Sequence, residues 1–236
     1  MNAEKLSDRL NAVANNIPQG ARLADIGSDH AYLPCYVVKK GAVPKAIAGE
    51  VANGPFQSAL EQVREENLTD WITVRKGDGL EVIDPGEVDC ITIAGMGGTL
   101  ISSILEKGKS KLEGVTRLVL QPNVGSFAVR RWLIDNGWEL VEEEILKEDG
   151  KIYEILVAEK GEPLKAYQGF NLENGILFGP ILLREKSAIF MEKWNAEIKN
   201  WQRILKQLDE AVQNEETESK KRELEKKLKM AEEAFQ

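Results

Sequence analysis

Apolar and polar positions along the 236-residue chain fall into two regimes. In the first, short apolar runs alternate with helix-spaced segments. Leu6, Leu10, Val13 and Ile17 predict a short N-terminal helix ended by Pro18-Gln19-Gly20. ARLADIG (21–27) and AIAGE (46–50) read as buried strands, and a helix over 55–66 turns Ala59, Leu60 and Val63 inward. ITVRKGD (72–78), VDCITIAG (88–95) and RLVLQPN (117–123) supply the third, fourth and fifth strands. Helices follow at 99–108 and 129–136, each closed by a glycine. Two further strands over 138–160 are joined through Glu148-Asp149-Gly150, whose Asp-Gly step is a hairpin signal. Strand–helix alternation predicts a parallel, doubly wound sheet, and the terminal hairpin adds an antiparallel strand.

The second regime begins after KGEPLKAYQGFNLENGILFGP (160–180), whose four glycines and two prolines read as a folded-over connector. Beyond Pro180 there is neither glycine nor proline. Phe190, Trp194, Ile198, Trp201, Leu205, Leu208 and Val212 recur at steps of three and four, and so do Leu224, Leu228, Ala231 and Phe235. A polar break near Asn214 separates the two series, which predicts an antiparallel coiled-coil hairpin. The expected domains are 1–160, a connector over 161–180, and a helical hairpin over 181–236. A seven-stranded, mostly parallel sheet ending in a hairpin suits a Rossmann-like methyltransferase better than a dinucleotide dehydrogenase, which usually ends on a parallel sixth strand.

Charge sharpens this division. The net charge is −8, from 31 Lys+Arg and 39 Asp+Glu, yet residues 181–236 hold 12 of each. All the acidity therefore belongs to 1–180, which argues against an electrostatic coat on nucleic acid while leaving room for local basic patches. His30 is the single histidine, and Cys35 and Cys90 are the only cysteines. A disulfide framework and a four-ligand Cys/His zinc site are excluded, and a Ser-His-Asp hydrolase would have to use His30. Both cysteines read as core thiols. No apolar run approaches the roughly 20 residues that span a bilayer, and MNAEKLSDRLNAVANNIP lacks the apolar core of a signal peptide. The expectation is a soluble, reduced, cytoplasmic protein that binds no metal.

In an open parallel sheet, ligands sit beyond the carboxyl ends of the strands. Those ends read Asp25-Ile26-Gly27-Ser28-Asp29-His30, Glu50, Asp78-Gly79, Ala94-Gly95-Met96-Gly97-Gly98 and Gln121-Pro122-Asn123. Gly27 permits a tight turn beneath a ligand. Glu50 stands where a ribose-hydroxyl acceptor is expected, and Asp78 can receive an adenine amino group. The glycines of 94–98 let backbone approach a ligand edge while Met96 offers a polarizable wall. Each feature alone has a plainer explanation, such as Asp25 capping a turn. Their coincidence at consecutive strand ends favours a ligand site. The first loop lacks a full G-x-G-x-x-G, which weakens a dinucleotide. A nucleoside with a cationic tail, S-adenosylmethionine, fits an acid-lined pocket better.

These blocks, ADIGSDHAYLP (24–34), AGE (48–50), KGDGLEVI (76–83), ITIAGMGG (91–98), LQPN (120–123) and EDGKIYEILVAE (148–159), followed by helical heptads, resemble the TrmK family of bacterial tRNA (adenine-22)-N1-methyltransferases. The resemblance spans essentially the whole chain. It implies that Asp25, Gly27, His30 and Ala31 surround the methionine part of S-adenosyl-L-methionine, that Glu50 binds the ribose, and that Asp78 and Gly79 bind the adenine. Ala94, Gly95 and Met96 would line the methyl-transfer face. Asp29 is the leading catalytic candidate, with Arg9, Asn123 and Tyr153 as helpers. His30 is either a general base or a donor that holds the cofactor carboxylate or the loop. Tyr32 and Met96 are each placed either against the target base or in cofactor and core packing.

The implied partner is tRNA, which an acidic protein must hold through local cations. Candidates are Lys5 and Arg9; Lys39, Lys40 and Lys45; Arg75 and Lys76; Lys107, Lys109 and Lys111; Arg130 and Arg131; and Lys220, Lys221, Arg222, Lys226, Lys227 and Lys229. The last group is interleaved with Glu218, Glu223 and Glu225, as a solvated helix face also would be. Two rival functions stand beside this one: a methyltransferase of the same fold acting on a protein or small molecule, and a non-catalytic adaptor working through its coiled coil. A monomer and a dimer through the coil are both open.

Overall fold

The computed structural model describes residues 2–210 and 214–235. Its contacts cluster into two compact units that meet in sequence between Ala166 and Tyr167. In the first, seven strands form one sheet in the order β3-β2-β1-β4-β5-β7-β6. They are β1 (Arg22–Ile26), β2 (Lys45–Glu50), β3 (Ile72–Lys76), β4 (Cys90–Gly97), β5 (Arg117–Val124), β6 (Trp138–Glu148) and β7 (Lys151–Lys160). The first five run parallel, and β7 runs antiparallel to both β5 and β6. Consecutive residues of β1 and β2 are buried, so both faces of the sheet centre are covered, as a doubly wound parallel sheet requires. The β6–β7 hairpin closes through Asp149 and Gly150, both at positive φ (49° and 75°), the geometry of a primed turn.

The covering helices are α1 (Asp8–Asn15), α2 (Tyr32–Lys39), α3 (Asn53–Glu65), α4 (Gly98–Lys107) and α5 (Ser126–Asp135). Ser7 caps α1 by accepting from the Leu10 N–H. The helix expected over 129–136 begins three residues earlier, at Ser126. The core holds Leu23, Ile91, Ile93, Leu118, Leu120 and Val157, essentially without exposure, and each such side chain contributes roughly 1.5–3 kcal/mol on burial. Cys35 and Cys90 are buried free thiols whose pKa values burial pushes up to about 12, so they remain protonated.

One polar cluster lies inside this core. Arg130 of α5 donates to Glu143 of β6 at 2.6 Å and to Glu154 of β7 at 2.8 Å, all three fully buried. Arg130, expected among the surface cations, is therefore an internal tie between helix and hairpin. Long-range pairing decides this, and no local pattern announces it.

The second unit contains α6 (Leu172–Phe178), α7 (Pro180–Glu185), α8 (Ala188–Glu210) and α9 (Glu215–Phe235). Residues 161–180 are thus more than a folded-over connector. Asn171 caps α6, accepting from the Glu173 and Asn174 N–H groups, while Gly179 at φ 90° ends it and Pro180 opens α7. Glycine and proline here punctuate two short helices. The long helices pair antiparallel: Phe190 meets Phe235, Trp201 meets Lys227, and Asp209 meets Lys221. Asn214 caps α9 by accepting from the Thr217 N–H and hydroxyl. Val212, placed on the apolar seam by sequence, lies outside the described residues. Among the described residues, no helix is long and apolar enough to cross a membrane.

Candidate active site

The chain winds outward in opposite directions from β1 and β4, so the topological switch point lies between them. Asp25 and Thr92 face each other there in register. The Thr92 hydroxyl donates to one oxygen of the buried Asp25 carboxylate at 2.7 Å, and the Ser28 hydroxyl to the other at 2.6 Å. Burial nevertheless dominates, and with the charge of Glu50 it lifts the Asp25 pKa from 3.8 to about 6 against those two bonds.

Glu50 ends β2 beside it. Its side chain accepts from the Asp29 N–H, and its pKa is raised chiefly by burial, with the Asp29 charge adding. Three successive alternate residues bend the loop: Gly27, Asp29 and Ala31 all have positive φ, at 71°, 55° and 54°. Aspartate tolerates that region, whereas alanine does so at a cost of about 1 kcal/mol. Ala31 is fully buried and opens α2. The loop leaves the Asp29 side chain mostly exposed, with His30 Nε2 3.8 Å from its carboxylate. His30 stacks on Tyr32 at 5.2 Å between centroids, a contact that fixes the imidazole within its own loop.

On the other side of the switch point, a Cβ on Gly27 would overlap the Met96 methyl group, so Met96 lies directly over the first loop. Gly95 is held from two directions: its N–H donates to Gln121 at 2.9 Å, and its carbonyl accepts from the Asn123 amide at 2.7 Å. The buried Gln121 oxygen also accepts from Arg9 of α1, and Arg9 lies over the Tyr153 ring at 5.5 Å. Gln121 thus joins Arg9, Asn123 and Gly95, and Arg9 brings in Tyr153. Sequence reading placed Gln121 at a strand end and in the LQPN block but gave it no role, although a glutamine inside an apolar strand before proline is a signal of a buried polar anchor. Ser28 and Thr92 were likewise unassigned. Asp78 stands at the end of β3, its N–H donating to Glu81 and its carboxylate 3.9 Å from Lys107. Gly79 follows at φ 58° against Ile104. Ala94 lies at a register shift, beyond which Met96 and Gly97 still pair with β5.

Several cations read as candidates for tRNA are already engaged. Arg75 pairs with Glu87 at 2.6 Å, Lys39 with Glu66 at 2.7 Å, and Lys111 donates to the Ile83 carbonyl at 2.9 Å. On α9, Lys220 pairs with Glu216 at 3.0 Å and Lys227 with Glu223 at 2.6 Å.

The sheet order with its antiparallel β7, and acids at three successive strand ends around the switch point, define a Rossmann-like methyltransferase. Residues 23–233 match the family model described as TrmK: tRNA (adenine(22)-N(1))-methyltransferase, and the chain belongs to that family. It is 52% identical over 235 residues to the tRNA (adenine(22)-N(1))-methyltransferase of Bacillus subtilis, covering 100% of this chain and 99% of that one. The crystal structure of the B. subtilis m1A22 tRNA methyltransferase TrmK superposes with a TM-score of 0.95 at 50% identity, covering 99% and 100% of the two chains. Sp1610 of Streptococcus pneumoniae, in complex with S-adenosyl-L-methionine, gives 0.86 at 41% identity, covering 98% and 100%.

Proposed function

We propose that this protein methylates N1 of adenine 22 in tRNA with S-adenosyl-L-methionine, in the cytoplasm. The whole-length relationship to the B. subtilis enzyme carries this conclusion. The donor set fits the cofactor independently: buried acids at adjoining strand ends suit a ligand with ribose hydroxyls and a cationic tail. Asp25, Gly27, His30, Ala31 and Tyr32 would hold its methionine part, Glu50 its ribose, and Asp78 with Gly79 its adenine. Bound there, S-adenosyl-L-methionine supplies an electrophilic methyl group. Residues 1–160 would form this catalytic domain and 181–236 a tRNA-docking arm.

The chemistry follows from the nucleophile. Neutral adenine carries a lone pair on N1, so no residue need remove a proton before attack. N1 gains a bond to the methyl carbon as the sulfur–carbon bond breaks, and the positive charge passes to the adenine ring. The protein's task is positioning and negative charge facing the developing cation. Asp29 serves the second purpose, since its backbone is fixed by Glu50 while its carboxylate remains accessible. Arg9, which lies over Tyr153, and Asn123 serve the first together with Gln121, which fixes Gly95 beside Met96 at the end of β4. His30, stacked on Tyr32, acts as a loop and cofactor-carboxylate donor rather than a base.

The test is methyl incorporation into paired tRNA transcripts that differ only at adenine 22. Incorporation into the adenine transcript alone is expected, and equal labelling of both would overturn the assignment. Isothermal titration with S-adenosyl-L-methionine addresses the adaptor alternative, which predicts no heat.

A further inference from the structure

Chemistry on a base requires that it leave its stack, and the lost stacking must be replaced. The two residues that sequence offered for this are engaged elsewhere, Tyr32 with His30 and Met96 over Gly27. Three other apolar side chains stand open at the carboxyl ends of β4 and β5. Val124, the last residue of β5, is 72% exposed, Leu100 in the first turn of α4 is 53% exposed, and Phe127 in the first turn of α5 is 50% exposed. Neither helix needs these residues for its core. α4 buries Ile101, Ile104 and Leu105, and α5 buries Val129, Trp132 and Leu133.

The backbones that carry the three are held close together. Val124 pairs with Gly97 in the sheet, and a Cβ on Gly98 would overlap the Gly125 carbonyl, so the start of α4 and the turn after β5 touch backbone to backbone. The patch begins next to the proposed methyl-transfer face along the chain, since Asn123, which precedes Val124, donates to the Gly95 carbonyl. Its chemistry selects an uncharged planar group. The acids at the ends of β1, β2 and β3 lie on the other side of the switch point, where the cofactor is assigned.

We propose that Phe127, flanked by Val124 and Leu100, is the stacking platform for the adenine lifted out of the tRNA. This rests on the function proposed above. A ring face also attracts cations, so Phe127 holds the adenine more strongly as methyl transfer makes it positive. An apolar but non-aromatic side chain at this position would keep some contact area and lose that gain.

The test compares Phe127→Ala, Phe127→Leu and Phe127→Tyr in steady-state methylation of the tRNA transcript, with S-adenosyl-L-methionine affinity and melting temperature measured for each. Base–aromatic stacking contributes about 1–3 kcal/mol, so Phe127→Ala should lower kcat/KM for tRNA roughly 5- to 150-fold. Phe127→Leu should stay well below wild type in kcat, Phe127→Tyr should recover to within about threefold, and cofactor affinity should not move. Because the position is half exposed, the leucine variant carries the test should the alanine variant fail to fold. A leucine variant with wild-type kcat, or a tyrosine variant as impaired as alanine, overturns the platform. If wild-type protein leaves the transcript unmethylated, the function itself falls; if wild type is active and all variants match it, only the platform falls.

Discussion

Substituting Asp25→Asn removes a carboxylate that the fold holds against its own stability. The Asp25 pKa lies at about 6 in the folded protein against an ordinary 3.8, mainly through burial. The folded state therefore binds a proton more tightly than the unfolded chain does. Stability from this group is greatest below about pH 3.8, falls as pH rises through the window to about 6, and is fully lost above it. At about 1.36 kcal/mol per pH unit, the ionised group costs about 3 kcal/mol at neutral pH. Asparagine keeps the shape, and the Ser28 and Thr92 hydroxyls can rotate so that one donates to its oxygen and the other accepts from its nitrogen. Allowing about 1 kcal/mol for weaker hydrogen bonds, the variant should gain about 1–3 kcal/mol at pH 7.5 and little at pH 4.

Urea unfolding at the two pH values reads that difference. Function should move the opposite way. A cationic ligand beside Asp25 favours its ionised form, so wild-type affinity for S-adenosyl-L-methionine should rise with pH and level off above about 6. Glu50 is raised by burial as well and titrates in both proteins, so the informative quantity is the difference between wild type and variant. Asp25→Asn should bind more weakly at pH 7.5 and lose most of that pH dependence in isothermal titration. A variant that is no more stable at pH 7.5, or that keeps the wild-type binding profile, would refute the reasoning.

Asp29→Asn preserves a residue type that tolerates φ 55° and removes only the charge; turnover should fall roughly 10- to 100-fold while cofactor affinity in titration changes little, and a near-normal rate would make Asp29 structural. Arg130→Met leaves Glu143 and Glu154 buried together without the guanidinium between them; a loss of about 3–5 kcal/mol is expected in urea unfolding, partly recovered at low pH as a carboxylate protonates. Neutralising Lys226 and Lys227 together should weaken tRNA binding and flatten its dependence on salt; binding unchanged across salt in a filter assay would remove α9 from the docking surface.

The sheet was legible in the sequence because parallel buried strands leave near-continuous apolar runs, and their ligand-facing ends interrupt those runs with acids and glycines. Asp25, Glu50 and Asp78 each stand at such an interruption. The hairpin was legible through Asp149-Gly150, since few residue pairs accept two consecutive positive φ angles. What escaped depends on partners distant in sequence. Arg130 looks like a surface cation until β6 and β7 bring Glu143 and Glu154 around it. Gln121 stands in the LQPN block with nothing local to mark its role, yet it links α1 to the end of β4. α6 and α7 were hidden because Gly175 and Gly179 read as loop residues. A Cβ on Gly175 would press into the Tyr167 ring, so that glycine permits close packing within a helix.

The distribution of acids then has a chemical logic that net charge alone conceals. Around the switch point, carboxylates occupy the ends of β1, β2 and β3, whereas β4 and β5 end in glycine, amide and apolar groups. The proposed cofactor arrives cationic and leaves as a neutral thioether, so acids on its side favour entry and loosen their hold once the methyl is gone. The base arrives neutral and leaves cationic. A carboxylate wall around it would hold the product more tightly than the substrate, and release would slow. An aromatic face attracts the same charge far more weakly. One exposed carboxylate, Asp29, between the two halves is enough to favour the transition state, and the partition leaves the methylated base free to return to its stack.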